Sequence, residues 1–176
     1  MRHLGIPVLL ALLVLGFVFA GSDQSTEPPP GPEYAKLVPL IGTWAGEGAI
    51  ERNPIEPDGK VSVKVTYEWF PGKRAVLRRT DGTFADAEYH SLSVLTYNKE
   101  TFTYAWYEIT NYGSTAAAKM ELMGDEMVVA WDRKSGIRSF KVRGIFRGVG
   151  TDKITYVQEY SSDGTTWKTF FRETET

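Results

Sequence analysis

Side chains that could perform nucleophilic or metal chemistry are few in this chain. It contains no cysteine and only two histidines, His3 and His90. A Ser/His/Asp triad needs a histidine base beside an activated serine, and the sequence has no G-x-S-x-G elbow. A zinc or iron site needs several histidine or cysteine ligands close together. The sequence therefore predicts no catalytic residue and no metal site, and we expect no cofactor.

Two glutamates lie within aromatic segments and are candidates for proton transfer. A buried carboxylate has a raised pKa, which suits a general acid or base. Glu68 shares its predicted strand face with Lys64, so we expect its carboxylate in solvent. Glu108 alternates in step with Tyr104 and Trp106 and is the better candidate. A residue at a strand end usually reaches water, however, so this pattern alone does not identify an acid or a base.

Several aromatic residues, with polar groups among them, could line a ligand cavity that has apolar walls and a few polar tips. The same residues could instead pack a core. His90 begins a strand face shared with Leu92 and Val94, where a single histidine is more typical of a strand end than of a ligand or base. The predicted ligand-binding set is Tyr67, Trp69, His90, Tyr104, Trp106, Glu108, Tyr156 and Gln158.

The elements that must position these residues are predicted to be strands. The chain has 176 residues, enough for one domain, and its aromatic content of 13% favours β-structure. Alternation is clearest from Val61 to Trp69, where apolar and polar residues take turns. Ten such runs are separated by turn signals, at residues 43–51, 60–70, 74–83, 89–97, 101–110, 114–123, 126–132, 137–147, 153–160 and 166–174. We predict a ten-stranded antiparallel up-and-down barrel, with a two-sheet sandwich as the alternative.

The N-terminal region divides into three parts. Residues 1–20 have the basic start, the apolar run and the small residue before cleavage that are typical of a signal peptide. Residues 21–32 are predicted to be a disordered Pro-rich linker, and residues 33–176 the barrel domain, which begins with a short helical plug. Retention of the apolar run as an anchor is the alternative. We expect cleavage near Ala20, release into the periplasm or medium, and no stable membrane insertion.

The charge pattern argues against nucleic acid as a partner. The formal net charge is −2, and the basic residues are scattered along the chain. Proteins that bind nucleic acid usually collect lysine and arginine on one face. The oligomeric state is left open by the sequence.

The motif Gly42-Thr43-Trp44-Ala45-Gly46-Glu47-Gly48, a G-x-W-x-G-x-G pattern, resembles the opening of calycin-type barrels. Together with the segments 66–74, 91–97 and 161–167, it makes the chain similar to the bacterial domain-of-unknown-function family 1579, a lipocalin-like group whose activity is unknown. The opening is also similar to that of the haem-binding nitrobindins, which hold iron through a histidine near the C-terminus. This chain has no histidine after His90, so the haem interpretation would need a tyrosine ligand such as Tyr156 or Tyr160.

Three classes of function remain. The first is a carrier or sensor of a small apolar or amphipathic molecule, which requires only a cavity. The second is an isomerase or dehydratase working in the barrel mouth, which requires a convergent acid and base. The third is an interaction module of the cell envelope, which predicts a filled barrel and an apolar patch on its outside. We expect the first.

Overall fold

The computed structural model describes residues 30–176, which form a closed barrel of ten antiparallel strands. Each strand pairs with its neighbours in sequence, and the first strand closes the barrel by pairing with the last. The all-β up-and-down barrel predicted from the alternation is therefore confirmed, and the sandwich alternative does not form. The predicted signal peptide and residues 21–29 of the predicted linker lie outside the described residues.

The strand bounds follow the ten predicted runs closely. Where they differ, most differences are of one to three residues at a strand end, the part of an element that a local pattern defines least well. The strands are β1 Gly42–Ile50, β2 Gly59–Trp69, β3 Ala75–Phe84, β4 Ala87–Asn98, β5 Thr103–Thr110, β6 Thr115–Met123, β7 Glu126–Ser135, β8 Arg138–Arg147, β9 Ile154–Ser161 and β10 Lys168–Glu175.

A short helical plug closes one end of the barrel, as predicted. It consists of helix α1, Pro32–Ala35, and a 3₁₀ helix, Val38–Leu40. Leu37 and Leu40 are fully buried against the core. The composition placed Pro32 at the end of the linker, but it is the first residue of α1. Its fixed φ and missing N–H suit the first position of a helix.

Two aromatic side chains tie this plug to the barrel wall. The Tyr104 hydroxyl on β5 donates a hydrogen bond of 2.6 Å to the carbonyl of Glu33. The indole N–H of Trp44 on β1 donates one of 3.2 Å to the carbonyl of Leu40. Trp44 is half-buried and packs against the core, so the tryptophan of the opening motif helps to hold the plug on the barrel. Neither helix within residues 30–176 has the length and apolar character needed to cross a bilayer.

The interior changes character along the barrel axis. Near the plug it is filled by apolar residues such as Val65, Val76 and Leu95, all fully buried. Towards the opposite end the inward positions carry larger aromatic and polar side chains. Because the side chains of a strand alternate between its two faces, each strand contributes every second residue to this interior. The fold therefore presents a polar and aromatic chamber above an apolar floor.

Candidate functional site

A cavity of about 700 Å³ occupies the barrel on the side away from the plug. Its lining comes from nearly every strand, and it reaches the surface among exposed residues of the β5–β6 and β7–β8 turns, including Tyr112 and Lys134. The barrel is thus not filled by its own side chains. Closed barrels of eight or more strands enclose such space when their diameter exceeds what inward side chains fill.

One wall of the cavity is a stack of aromatic rings. Tyr156 lies parallel to Phe146 at 4.0 Å between ring centroids, and Phe146 stacks at 6.0 Å on Trp106. Phe171 meets Tyr156 edge-on at 5.4 Å. The Tyr156 ring also lies over Gly144 of the neighbouring strand, where an added Cβ would come within 2.7 Å of the ring. Glycine at this position therefore allows the ring to lie against the wall.

The polar side of the chamber is built around Arg78, which is 6% exposed. Its Nε donates to the Tyr67 hydroxyl at 3.0 Å, one terminal nitrogen donates to Thr80 Oγ1 at 2.6 Å, and the other lies 3.4 Å from Glu175 Oε1. The guanidinium carbon also lies 5.6 Å from the ring centroids of Tyr67 and Trp106. Burial alone would lower the pKa of Arg78, but the surrounding groups, Tyr67 and Glu175 first, raise it. The guanidinium therefore stays charged.

Glu173 is the most perturbed carboxylate of the site. It is 5% exposed, lines the cavity, and its Oε1 has no hydrogen-bond partner. Burial and the nearby charge of Glu175 raise its pKa to about 7, against the opposing influence of Arg78. Burial also raises the pKa of Glu175, while its ion pair with Arg78 lowers it. Two carboxylates thus share one cation in this part of the interior.

Glu108 faces the cavity from β5, in phase with Trp106. It accepts a hydrogen bond of 3.0 Å from the Ser93 hydroxyl. Among residues 30–176 no histidine lines the cavity, so a Ser-His pair does not form at Ser93. Burial, and then the charge of Glu108, raise the pKa of nearby Tyr89, which remains a neutral phenol. The cluster of Ser93, Glu108 and Tyr89 can bind polar groups by hydrogen bonds.

The loop of residues 51–58 lies beside the cavity mouth. Its Ile55 packs against the core, and its Glu56 forms an ion pair with Arg133 of β7. The hydroxyl of Ser135 donates a hydrogen bond of 2.9 Å to the carbonyl of Pro54. Since Ile55, Glu56 and Arg133 all line the cavity, this loop narrows the entrance.

The structure separates the predicted ligand-binding set into three groups. Trp106, Glu108, Tyr156 and Gln158 line the cavity. Tyr67 is fully buried beside Arg78, while Trp69 and Tyr104 pack nearer the plug and do not line the cavity. His90 lies outside the barrel. Binding of a ligand by any of them stays a prediction.

The inward face of β4 is the opposite of the one that the sequence predicted for His90. Tyr89, Ser91, Ser93, Leu95 and Tyr97 are the inward positions of this strand, so His90 and the apolar pair Leu92 and Val94 face outward. The apolar side chains of Leu92 and Val94 suggested that their face of β4 points into the barrel. The inward face instead carries Ser91 and Ser93, because the interior is polar at this point. The His90 ring lies between carboxylates, with Nδ1 2.7 Å from Asp81 and Nε2 2.8 Å from Glu88. Hydrogen bonds to Glu88 and then Asp81 raise its pKa.

A haem held by histidine does not fit these residues. His90, the imidazole of the described chain, is on the outer surface, and the ring of Tyr156 is already stacked against Phe146. Within residues 30–176, no group of three His, Cys, Asp or Glu side chains converges as a metal site would require.

Three residues of the interior were missed by the sequence analysis: Arg78, Glu173 and Glu175. In β3 the adjacent Val76 and Leu77 are both apolar, so alternation does not tell which phase faces inward. In β10 the adjacent Phe170 and Phe171 are both apolar and both buried, so the inward phase that continues to Glu173 and Glu175 is equally ambiguous. Glutamate side chains usually lie in solvent, so the sequence favours an outward position for Glu173 and Glu175. Only the structure shows that both carboxylates are buried inside the barrel.

An apolar groove of about 300 Å³ lies on the outside of β4, β5 and β6. It is lined by side chains that include Leu92, Tyr107 and Ile109, all exposed. The envelope-module hypothesis predicted such a patch, but it also predicted a filled barrel. The structure has the outer groove, but the barrel contains a cavity and is not filled by side chains.

Comparison with protein-family models finds no match, and comparison with curated proteins finds none. Among solved structures, the barrel is similar to the crystal structure of Rv2717c from M. tuberculosis, with a TM-score of 0.53 and 15% sequence identity. The similarity covers 82% of this chain and 96% of that chain. At this identity it shows that the two proteins share a barrel fold.

Proposed function

We propose that this protein reversibly binds one small amphipathic molecule inside the barrel. The observation that carries the proposal is the cavity of about 700 Å³, which combines a stacked aromatic wall with buried charged and polar groups. Small-molecule sites are typically concave, of roughly 300–1,000 Å³, mostly apolar, and supplied with a few polar groups that fix orientation. The chamber meets each of these criteria.

The buried polar groups favour a ligand over an empty chamber. A polar atom withdrawn from water costs about 1–3 kcal/mol when it has no partner, and Glu173 Oε1 is such an atom. A barrel selected only for stability would place an apolar residue there. We therefore infer that the arrangement serves recognition of the polar end of a ligand, while the rings of Trp106, Phe146 and Tyr156 contact its apolar body.

The proposal can be tested with a fluorescent probe that becomes bright in apolar surroundings. We use the neutral dye N-phenyl-1-naphthylamine and expect a saturable rise in its emission with protein. Ala118 and Ala117 are adjacent on β6, but Ala118 faces the cavity and Ala117 the outside. Ala118→Phe should weaken binding, because the added ring occupies cavity volume, whereas Ala117→Phe should leave cavity binding unchanged.

Each outcome bears on the proposal. Thermal melting of both variants shows whether they remain folded. If Ala118→Phe does not fold, Ala118→Leu, a smaller change at the same cavity-lining position, takes its place. Binding that is weakened by Ala117→Phe and unchanged by Ala118→Phe would place the dye in the outer groove, which Ala117 lines, and would contradict the proposal. Equal binding by the two variants, or the absence of saturable binding by the parent, would contradict it as well.

We propose further that the barrel works outside the cytoplasm, and that the chain is a member of family 1579. Support for export comes from the pattern of residues 1–20, and support for the family from the motifs around Trp44, Trp69 and Trp167. Sequencing the N-terminus of the protein recovered from a bacterial periplasm tests the first proposal. A chain that begins at Met1 and is recovered from the cytoplasmic fraction would contradict it, whereas a chain that begins at Met1 in the membrane fraction would contradict only the cleavage and favour the anchor.

A further inference from the structure

Carboxylates outnumber cations in the interior of the barrel. Among residues 30–176, the inward charged groups beyond the mouth are one guanidinium, Arg78, and three carboxylates, Glu108, Glu173 and Glu175. The charges at the mouth do not alter this balance, because Glu56 pairs with Arg133, Asp132 pairs with Lys141, and Lys134 is exposed to solvent. The chamber therefore has an excess of negative charge when its carboxylates are ionised.

Arg78 is poorly placed to receive an anionic ligand, although a buried arginine would ordinarily suggest one. Three of its five N–H donors already have a partner within the barrel, namely the Tyr67 hydroxyl, Thr80 Oγ1 and Glu175 Oε1. Its charge is balanced by Glu175, which is fully buried beside it. A ligand carboxylate would have to compete with Glu175 and would add to the existing negative charge.

Glu173 and Glu175 each have one buried carboxylate oxygen without a hydrogen-bond partner, Oε1 and Oε2 respectively. Of these two residues, Glu173 lines the cavity and Glu175 does not. The Glu173 carboxylate occupies space that Gly46 of β1 leaves open, since a Cβ at that position would lie 2.1 Å from Oε1. Gly46 is the second glycine of the G-x-W-x-G-x-G motif. This close approach gives the motif a role in placing an acidic group inside the barrel.

We propose that the ligand is an organic cation, with an ammonium or amidinium group that binds Glu173 and an apolar body that lies against the aromatic wall. This inference rests on the proposed function and names the chemical class of its ligand. The cation would lie beside the Glu173 carboxylate and reduce the excess of interior negative charge. The aromatic wall is suited to the same ligand, because aromatic rings attract cations as well as apolar groups.

The test compares three molecules that share one alkyl chain and differ in the head group. Decylamine is cationic at pH 8, because an alkyl amine has a pKa of about 10, decanoate is anionic, and decan-1-ol is neutral. Each displaces bound N-phenyl-1-naphthylamine at concentrations below those that form micelles. A hydrogen bond to a charged partner contributes about 1.5–3 kcal/mol. We therefore expect decylamine to compete at roughly tenfold or more lower concentration than decanoate.

Two substitutions locate the preference at Glu173. Glu173→Gln removes the charge and should reduce the advantage of decylamine to within about threefold of decanol, because the ammonium then meets a neutral amide. Glu121→Gln makes the same change of net charge at an exposed position of β6 and should leave the advantage intact. If Glu173→Gln does not fold, Gly46→Ala, which keeps the charge but displaces the carboxylate, replaces it with the same expectation.

The outcomes distinguish this inference from the proposed function. Dye binding combined with displacement by decanoate as effective as by decylamine would overturn the cationic ligand and leave the carrier function standing. A preference that persists in Glu173→Gln would overturn the role of that residue. If neither the dye nor any of the three alkyl molecules binds the parent, the proposed function itself fails.

Discussion

Replacing Glu173 with glutamine should stabilise the barrel at pH 8 and leave its stability nearly unchanged at pH 4. The carboxyl has an ordinary pKa of 4.5, which burial and Glu175 raise to about 7 in the folded chain. Between these two values the folded state keeps a proton that the unfolded state has already released. The free energy of unfolding therefore falls as the pH rises through this window, and levels off above the folded pKa.

The size of the effect follows from the two pKa values. One pKa unit corresponds to about 1.4 kcal/mol, so a rise from 4.5 to about 7 corresponds to a loss of about 3 kcal/mol. The charged and titratable groups around Glu173 are Glu175 on its own strand, Glu47 on β1, Tyr67 on β2, Arg78 on β3 and Tyr156 on β9. All of them are retained in the glutamine variant, so subtracting the two stability profiles isolates Glu173 to a first approximation.

Urea unfolding followed by tryptophan fluorescence provides the assay. The parent and Glu173→Gln are measured from pH 4 to pH 8, together with Glu121→Gln as a variant with the same change of net charge on the outer surface. We expect the stability of Glu173→Gln relative to the parent to rise across this range by up to about 3 kcal/mol. A difference independent of pH, or a variant less stable than the parent at pH 8, would refute the reasoning, because it would mean that Glu173 is not an unbalanced buried charge.

Four other experiments test separate parts of the structure. Trp44→Ala should lower the free energy of unfolding by roughly 2–3 kcal/mol, less than for a fully buried tryptophan, and a variant as stable as the parent in urea would show that the ring does not support the plug. Gly144→Ala should destabilise by about 1–3 kcal/mol, because its Cβ would displace the Tyr156 ring; unchanged near-ultraviolet circular dichroism would argue against that contact. Proton NMR should show the pKa of His90 above 6.5 and lowered by Glu88→Gln, and an unaltered titration in that variant would exclude their hydrogen bond. Haemin titration should produce no saturable Soret shift, whereas a one-to-one spectrum lost in Tyr156→Phe would establish a haem site.

Local patterns carried much of the information about the fold. The alternation from Val61 to Trp69 predicted both the strand and its buried face, because an apolar residue at every second position matches the two-residue period of a strand. Leu37 and Leu40 of the plug are fully buried, and their three-residue spacing is that of one helical face. Such features depend on residues close together in sequence, so the sequence contains them directly.

The candidate site could be predicted only in part. Trp106 and Glu108 share a phase within one strand, and their common orientation followed from alternation. The inward face of β4 could not be found in the same way, because it carries Ser91 and Ser93 while the apolar Leu92 faces outward. Hydrophobicity identifies an inner face only where the interior is apolar, and the chamber of this barrel is not.

The sequence by itself determined an all-β chain of ten strands, the plug at its start, and the glycine and tryptophan motif that joins them. Only the tertiary structure decided which charges meet. Arg78 and Glu175 are separated by 97 positions, and they become neighbours because β1 closes the barrel between β2 and β10. The space for Glu173 depends in turn on Gly46 of that closing strand. Contacts of this kind arise from closure and register, which no local period encodes.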